Sequence, residues 1–201
     1  MFADMSAAPK LFPEAPLGPI TEDQIPDDCE LIDGSLVEKE TSGEHGGTQA
    51  SLVAKLFGPF NRRPGGRKPG GWWFATEVLI DFGPGQRLRP DVSGWRREKM
   101  PDPPRGTVIR TIPDWICEVL STSNPNNDLV KKRRIYHQHR VGHYWIIDPV
   151  EQRLEVYRWH SDGYLQVLTA MRGERVRAEP FDAIELQVGV LFGDDDDDDG
   201  E

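Results

Sequence analysis

The chain has 201 residues, enough for one domain with a proper core and too few for two comfortable ones. Its formal charge is −10, yet residues 1–30 carry −6 and Asp194–Glu201 carry −7, which leaves residues 31–193 at +3, so the acidic ends do not exclude a polyanionic partner. Cys29 and Cys117 have apolar neighbours and no metal-ligand spacing, which argues against a disulfide framework and for small buried thiols.

Residues 1–26 are rich in Pro, Ala and acids and predict a flexible leader, 27–193 the folded domain, and 194–201 an acidic, disordered tail. The start, MFADMSAAPKLFPEAPLG, lacks the apolar core of a signal peptide, and no window reaches the roughly 20 apolar residues of a membrane span. A cytoplasmic protein is the expectation.

Along the chain, Leu31, Ile32, Leu36 and Val37 around Asp33-Gly34 predict a hairpin, because Asp-Gly supplies the positive-φ positions of a tight turn. Leu52, Val53, Leu56 and Phe57 recur at helical spacing and predict a helix over Gln49–Phe57 that starts near His45. Asn61–Gly71 (NRRPGGRKPGG) predicts an exposed loop, either a solvated connector or a basic flap that brings Arg62, Arg63, Arg67 and Lys68 to a phosphate backbone. Trp72–Phe82, Arg87–Trp95 and Thr111–Leu120 each predict a strand. Pro125 to about Arg140 predicts a second helix, with Asn124 as its cap and Gly142 as its stop. His143–Asp148 predicts a strand, Leu154–Trp159 and Tyr164–Leu168 a hairpin turning at Ser161-Asp162-Gly163, and Ile184–Leu191 a last short element. The pattern is α+β, with an α/β-like mixed central sheet flanked by helices.

Three charges interrupt apolar segments: Asp91 after Pro90, Glu118 within Trp115–Leu120, and Lys132 beyond. Strand alternation turns Trp115, Cys117 and Val119 one way and Ile116, Glu118 and Leu120 the other, so Glu118 stands between apolar neighbours on its own face. A carboxylate buried there needs a cation or a hydrogen-bond partner. By the same alternation Asp91 shares a face with Arg89 and Ser93. If the two strands pair, Asp91 and Glu118 converge on a Mg²⁺ or Mn²⁺ ion with the Val119 carbonyl as third ligand. The plainer alternative is that Asp91 opens a turn and Glu118 pairs with an arginine. Asp128, Lys132 and Tyr136, spaced four apart, line one side of the second helix, as a helical ion pair beside a packing tyrosine or as a route for Lys132 into the acidic site. Lys131, Arg133 and Arg134 then form a basic face toward a nucleic acid. His137, His139, His143 and His160 make no convincing ligand set, so zinc is not expected.

The segments CELIDGSLVE (29–38), RPDVSGW (89–95), DWICEVLSTSN (114–124), DLVKKRRIYHQHRVGHYWIIDP (128–149) and LEVYRW (154–159) together resemble the Uma2 (DUF820) family, which is classed with restriction endonucleases of the PD-(D/E)XK nuclease superfamily. The resemblance implies a restriction-endonuclease-like core with Asp91 as the PD aspartate and Glu118 as the second acid. The usual lysine two residues on is replaced by Leu120, and the resemblance assigns the role to Lys132 in DxxxKxxxY. It implies auxiliary places for Glu30, in CELIDG where the family often has tyrosine for Cys29, for His45 at the helix start, and for Tyr136. The expected activity is metal-dependent hydrolysis of DNA phosphodiesters with Mg²⁺ or Mn²⁺ as cofactor. DNA is the expected partner, no membrane is expected, and a homodimer is compatible because cutting both strands needs two sites. The alternative is a nuclease-fold protein that binds nucleic acid or a protein without cutting; a hydrolase of another phosphate ester ranks below both, since no P-loop is present.

Overall fold

The computed structural model describes residues 19–39, 42–121 and 125–196, with the backbone alone for 125–128. Most of the expected leader, the Asn124 cap, the Asp128 side chain and residues 197–201 of the tail lie outside the described residues. In chain order the elements are β1 (Cys29–Ile32), β2 (Ser35–Glu38), α1 (Gly43–Phe60), β3 (Trp72–Thr76), β4 (Leu79–Asp81), β5 (Arg87–Leu88), β6 (Val92–Arg96), β7 (Val108–Ile109), β8 (Trp115–Val119), α2 (Pro125–Gln138), β9 (His143–Asp148), β10 (Arg153–Arg158), β11 (Leu165–Met171), β12 (Arg175–Val176) and β13 (Leu186–Gln187). Short 3-10 turns stand at Glu22–Gln24 and Val188–Phe192.

The central sheet runs β11-β10-β9-β8-β6-β3 and is mixed: β8 and β9 are parallel, joined through α2, and the other pairs are antiparallel. A smaller sheet runs β2-β1-β5-β4-β7, and β12 pairs with β13. One face of the central sheet buries Trp115, Cys117 and Val119 against Leu52, Leu56 and Phe60 of α1. The other buries Ile116, Tyr144 and Ile146 with Ile135 and Tyr136 of α2 and with Ile32, Ile80 and Leu88 of the smaller sheet. The alternation expected for β8 is therefore the partition between the two core layers. Both cysteines are buried, and neither forms a disulfide. No helix among the described residues is long and apolar enough to cross a membrane.

Local chemistry explains the element ends. Asp33 (φ 51) and Gly34 (φ 76) make the β1–β2 turn in the left-handed region. Ser42 caps α1 by accepting from the His45 amide at 3.2 Å, and this cap carries the helix back through Gly46 and Gly47 to Gly43, just before the expected start near His45. Burial of His45 and Thr48 outweighs the poor helix propensity of those glycines.

Two expected strands are each divided. Trp72–Phe82 breaks at Glu77 (φ 54) into β3, in the central sheet, and β4, in the smaller one. Arg87–Trp95 breaks at Arg89-Pro90-Asp91 into β5 and β6, again in different sheets, because Pro90 has no amide to give to a ladder. Asp91 thus lies in a bend, and the expected alternation with Arg89 and Ser93 does not hold. Thr111–Leu120 contracts to β8; β13 and the 3-10 turn after it stand where Ile184–Leu191 was expected to add a short element, while β12 and its pairing with β13 were not expected. Ile20 and Ile25 pack with Cys29, Leu31 and Leu79, so the folded unit takes in residues before 27.

Trp115 anchors the α1 layer, with ring centroids 5.9 Å from Phe74, 5.4 Å from Trp145 and 5.0 Å from Phe181, all near edge-on. Gly94 makes room for it: a Cβ there would meet Phe74 Cε1 and Trp115 Cε3, each at 3.1 Å. Replacing Gly94→Val should destabilise the chain by about 1–3 kcal/mol through overpacking. Urea unfolding of both proteins measures this, and an unchanged midpoint contradicts the packing.

Candidate active site

The Arg89-Pro90-Asp91 bend is pinned on several sides. The Arg89 amide donates to Glu30 Oε1 at 2.6 Å, the Glu77 amide to the Pro90 carbonyl at 3.2 Å, and Gln49 Nε2 to the Asp91 carbonyl at 2.7 Å. Held in this way, the Asp91 side chain turns to the end of β8, where its Oδ2 accepts the Val119 amide at 2.6 Å and lies 3.0 Å from His45 Nε2. Its Oδ1 takes the Lys39 ammonium at 2.9 Å. Asp91 is 1% exposed. Burial raises its pKa, but the His45 hydrogen bond and the Lys39 charge outweigh burial and hold the carboxyl well below the usual carboxylate range.

Glu118 has the opposite balance. Its Oε1 accepts the Tyr136 hydroxyl at 2.5 Å, and its Oε2 is 3.4 Å from Lys132 Nζ. Burial dominates: Lys132 opposes it, the charges of Asp91 and Glu30 add to it, and the carboxyl is pushed up to about 8. Burial, with the Glu118 charge, also keeps the Tyr136 phenol well above its ordinary value, so Tyr136 remains a donor. Lys132 reaches the site from α2 and sits closer to Glu30 Oε2, at 2.8 Å, than to Glu118. Glu30 therefore bridges the bend and the lysine.

The structure thus gathers Asp91, Glu118, Lys132, Glu30, His45 and Tyr136 at one end of the central sheet. It also adds three residues that sequence reasoning missed. Lys39 pairs with Asp91 and, at 2.5 Å, with Glu77 Oε2, while Gln49 Nε2 holds Glu77 Oε1 at 3.1 Å. Lys39 follows Val37 by two and Gln49 follows His45 by four, so strand and helix spacing carried a signal for both. Glu77 offered none, because its place depends on the break between β3 and β4. Burial raises the Glu77 pKa, with Lys39 opposing.

The basic residues are divided. Arg62, Arg63, Arg67 and Lys68 are exposed on the loop after α1, and at about 1.5 Å per residue the helix carries that loop roughly 25 Å from His45, away from the acidic end. Lys131 and Arg134 are exposed on α2. Arg133 instead lays its guanidinium over the Tyr157 ring, 4.2 Å from the centroid, which occupies it in packing.

This arrangement of sheets and helices is similar to the crystal structure described as a "putative nuclease belonging to DUF820" from Anabaena variabilis ATCC 29413, 23% identical over 82% of this chain and 89% of that one, with a TM-score of 0.63. The likeness defines the fold as restriction-endonuclease-like. The family described as "Uma2: Putative restriction endonuclease" matches residues 20–189, and the chain belongs to it. No curated protein matches. Family and fold together indicate a nuclease-type protein.

Glu118 also sets a pH dependence. Its ordinary value of 4.5 in the unfolded chain rises to about 8 on folding, so between these values the folded state holds a proton that the unfolded state has lost. Its contribution to stability is complete below the unfolded value and declines as pH rises toward the folded one. In EDTA the melting temperature should fall more steeply from pH 5 to pH 8 in the native chain than in Glu118→Gln. Parallel profiles contradict a raised Glu118.

Proposed function

We propose that the chain is a divalent-metal-dependent endonuclease acting on DNA, with Asp91, Glu118 and the Val119 carbonyl as ligands of one Mg²⁺ or Mn²⁺ ion. The observation that carries this reading is the pair Asp91 and Glu118, buried at the ends of adjacent strands with pKa values driven in opposite directions. The donor set suits a hard cation. Among the described residues no three His, Cys, Asp or Glu side chains form a metal cage, but Mg²⁺ is commonly held by one or two carboxylates and keeps several waters. In an extended strand a residue's N–H and C=O point to the same edge, and the Val119 amide already points at Asp91. The Val119 carbonyl is therefore turned toward the same side.

A bound ion there supplies Lewis acidity to the phosphoryl oxygen and a more acidic water. The protein's own groups do the rest. Lys132, held by Glu30 and Glu118, presents the ammonium that orients the water and offsets charge growing on the phosphate. Tyr136 fixes the Glu118 carboxyl by its hydrogen bond, and His45 fixes Asp91. Exposed Lys131 and Arg134 on α2 are the basic groups best placed to meet a DNA backbone near this site. A homodimer would supply one centre for each strand.

The occupation of Asp91 Oδ1 by Lys39 favours a second reading, a nuclease fold that binds nucleic acid without cutting. Supercoiled plasmid incubated with Mg²⁺ or Mn²⁺ separates the two. The endonuclease nicks or linearises it, and Asp91→Ala, Glu118→Ala and Lys132→Ala each lower the rate by at least about 100-fold. Salt-sensitive binding without turnover, unchanged in Asp91→Ala, overturns the endonuclease and leaves the binding protein.

A further inference from the structure

Lys39 carries a buried charge for which the proposed reaction has no use. Its side chain is 9% exposed, and its Nζ lies 2.5 Å from Glu77 Oε2, 2.6 Å from the Arg89 carbonyl and 2.9 Å from Asp91 Oδ1. Two carboxylates and a backbone carbonyl around one compact positive charge are a donor set typical of hard inorganic cations, and Ca²⁺ takes such oxygens at about 2.3–2.6 Å. The Glu77 and Arg89 oxygens lie at such distances from Nζ, and Asp91 Oδ1 lies beyond them at 2.9 Å.

Contacts other than Lys39 also hold the cradle. Gln49 holds Glu77 Oε1 at 3.1 Å and the Asp91 carbonyl at 2.7 Å. Asp91 Oδ2 is fixed by Val119 and His45. The Arg89 backbone is fixed through its own amide on Glu30. Removal of the ammonium would leave three oxygens, two of them from carboxylates that repel each other, with the volume of the lysine stem open to water.

We propose that Lys39 is a tethered cation seated in an inorganic-cation site between Asp91 and Glu77, and that its ammonium keeps a divalent ion out of that position. The inference deepens the endonuclease reading and rests on it only for the number of ions in the native chain: Asp91 is shared between a metal on the Glu118 side and a built-in charge on the Glu77 side. Lys39 is then a positioning residue, a covalently attached charge that holds Asp91 and Glu77 in place of a second ion.

Calorimetric titration of the full chain with Ca²⁺ tests this, comparing native protein, Lys39→Ala, and Lys39→Ala with Glu77→Gln. Lys39→Ala should bind one more Ca²⁺ per chain than the native protein, and the added site should vanish in the double variant. Equal stoichiometry in native protein and Lys39→Ala overturns the inference while leaving the endonuclease reading intact. A native chain that binds none, with Lys39→Ala binding one, removes the metal at Glu118 and upholds the inference. If Lys39→Ala is unfolded in EDTA, refolding by millimolar Ca²⁺, followed by circular dichroism, supports the cation site, and failure to refold overturns it.

Discussion

The burial of one ionised carboxylate, Asp91, is the constraint around which the rest of the molecule is arranged. A charge removed from water is costly unless both oxygens are met by donors or cations. Here β8 gives an amide, α1 an imidazole, and the residue just past β2 an ammonium. These partners come from the central sheet, the helix on its face and the smaller sheet, so the same contacts that satisfy the charge also join the layers. Breaking one partner would leave the others facing an unpaired buried charge.

The two acids of the site differ because their neighbours differ. Asp91 has close donors on each oxygen and is held ionised. Glu118, at the border of the apolar layer that contains Ile116 and Tyr136, has a phenol on one oxygen and shares its lysine with Glu30, so burial prevails and the acid favours its proton. A cation bound beside both would reverse that balance at Glu118 and expel its proton, which links occupancy of the site to pH.

Much of the site was legible because it follows local periods. The inward direction of Glu118 follows from two-residue alternation along β8, and the delivery of Lys132 and Tyr136 to the same place follows from their four-residue spacing on α2. The basic loop was a local prediction of another kind. Its exposure was readable from Gly and Pro, but its distance from the acids depends on the direction of α1, which composition does not encode.

Turn chemistry and hydrophobic period by themselves determined the β1–β2 hairpin, the two helices, the two faces of β8 and the α+β class, since each depends on residues within a few positions of one another. Only the tertiary structure decided that Glu77 and Pro90 divide two apparent strands between two sheets, and that Lys39, Gln49 and Glu77 surround Asp91. Lys39 and Gln49 stand 52 and 42 residues from Asp91. Spacing can turn Lys39 and Gln49 inward but cannot name their partner over such separations, because the partner is fixed by the cost of burying charge where the sheets meet and not by the backbone geometry of any single element.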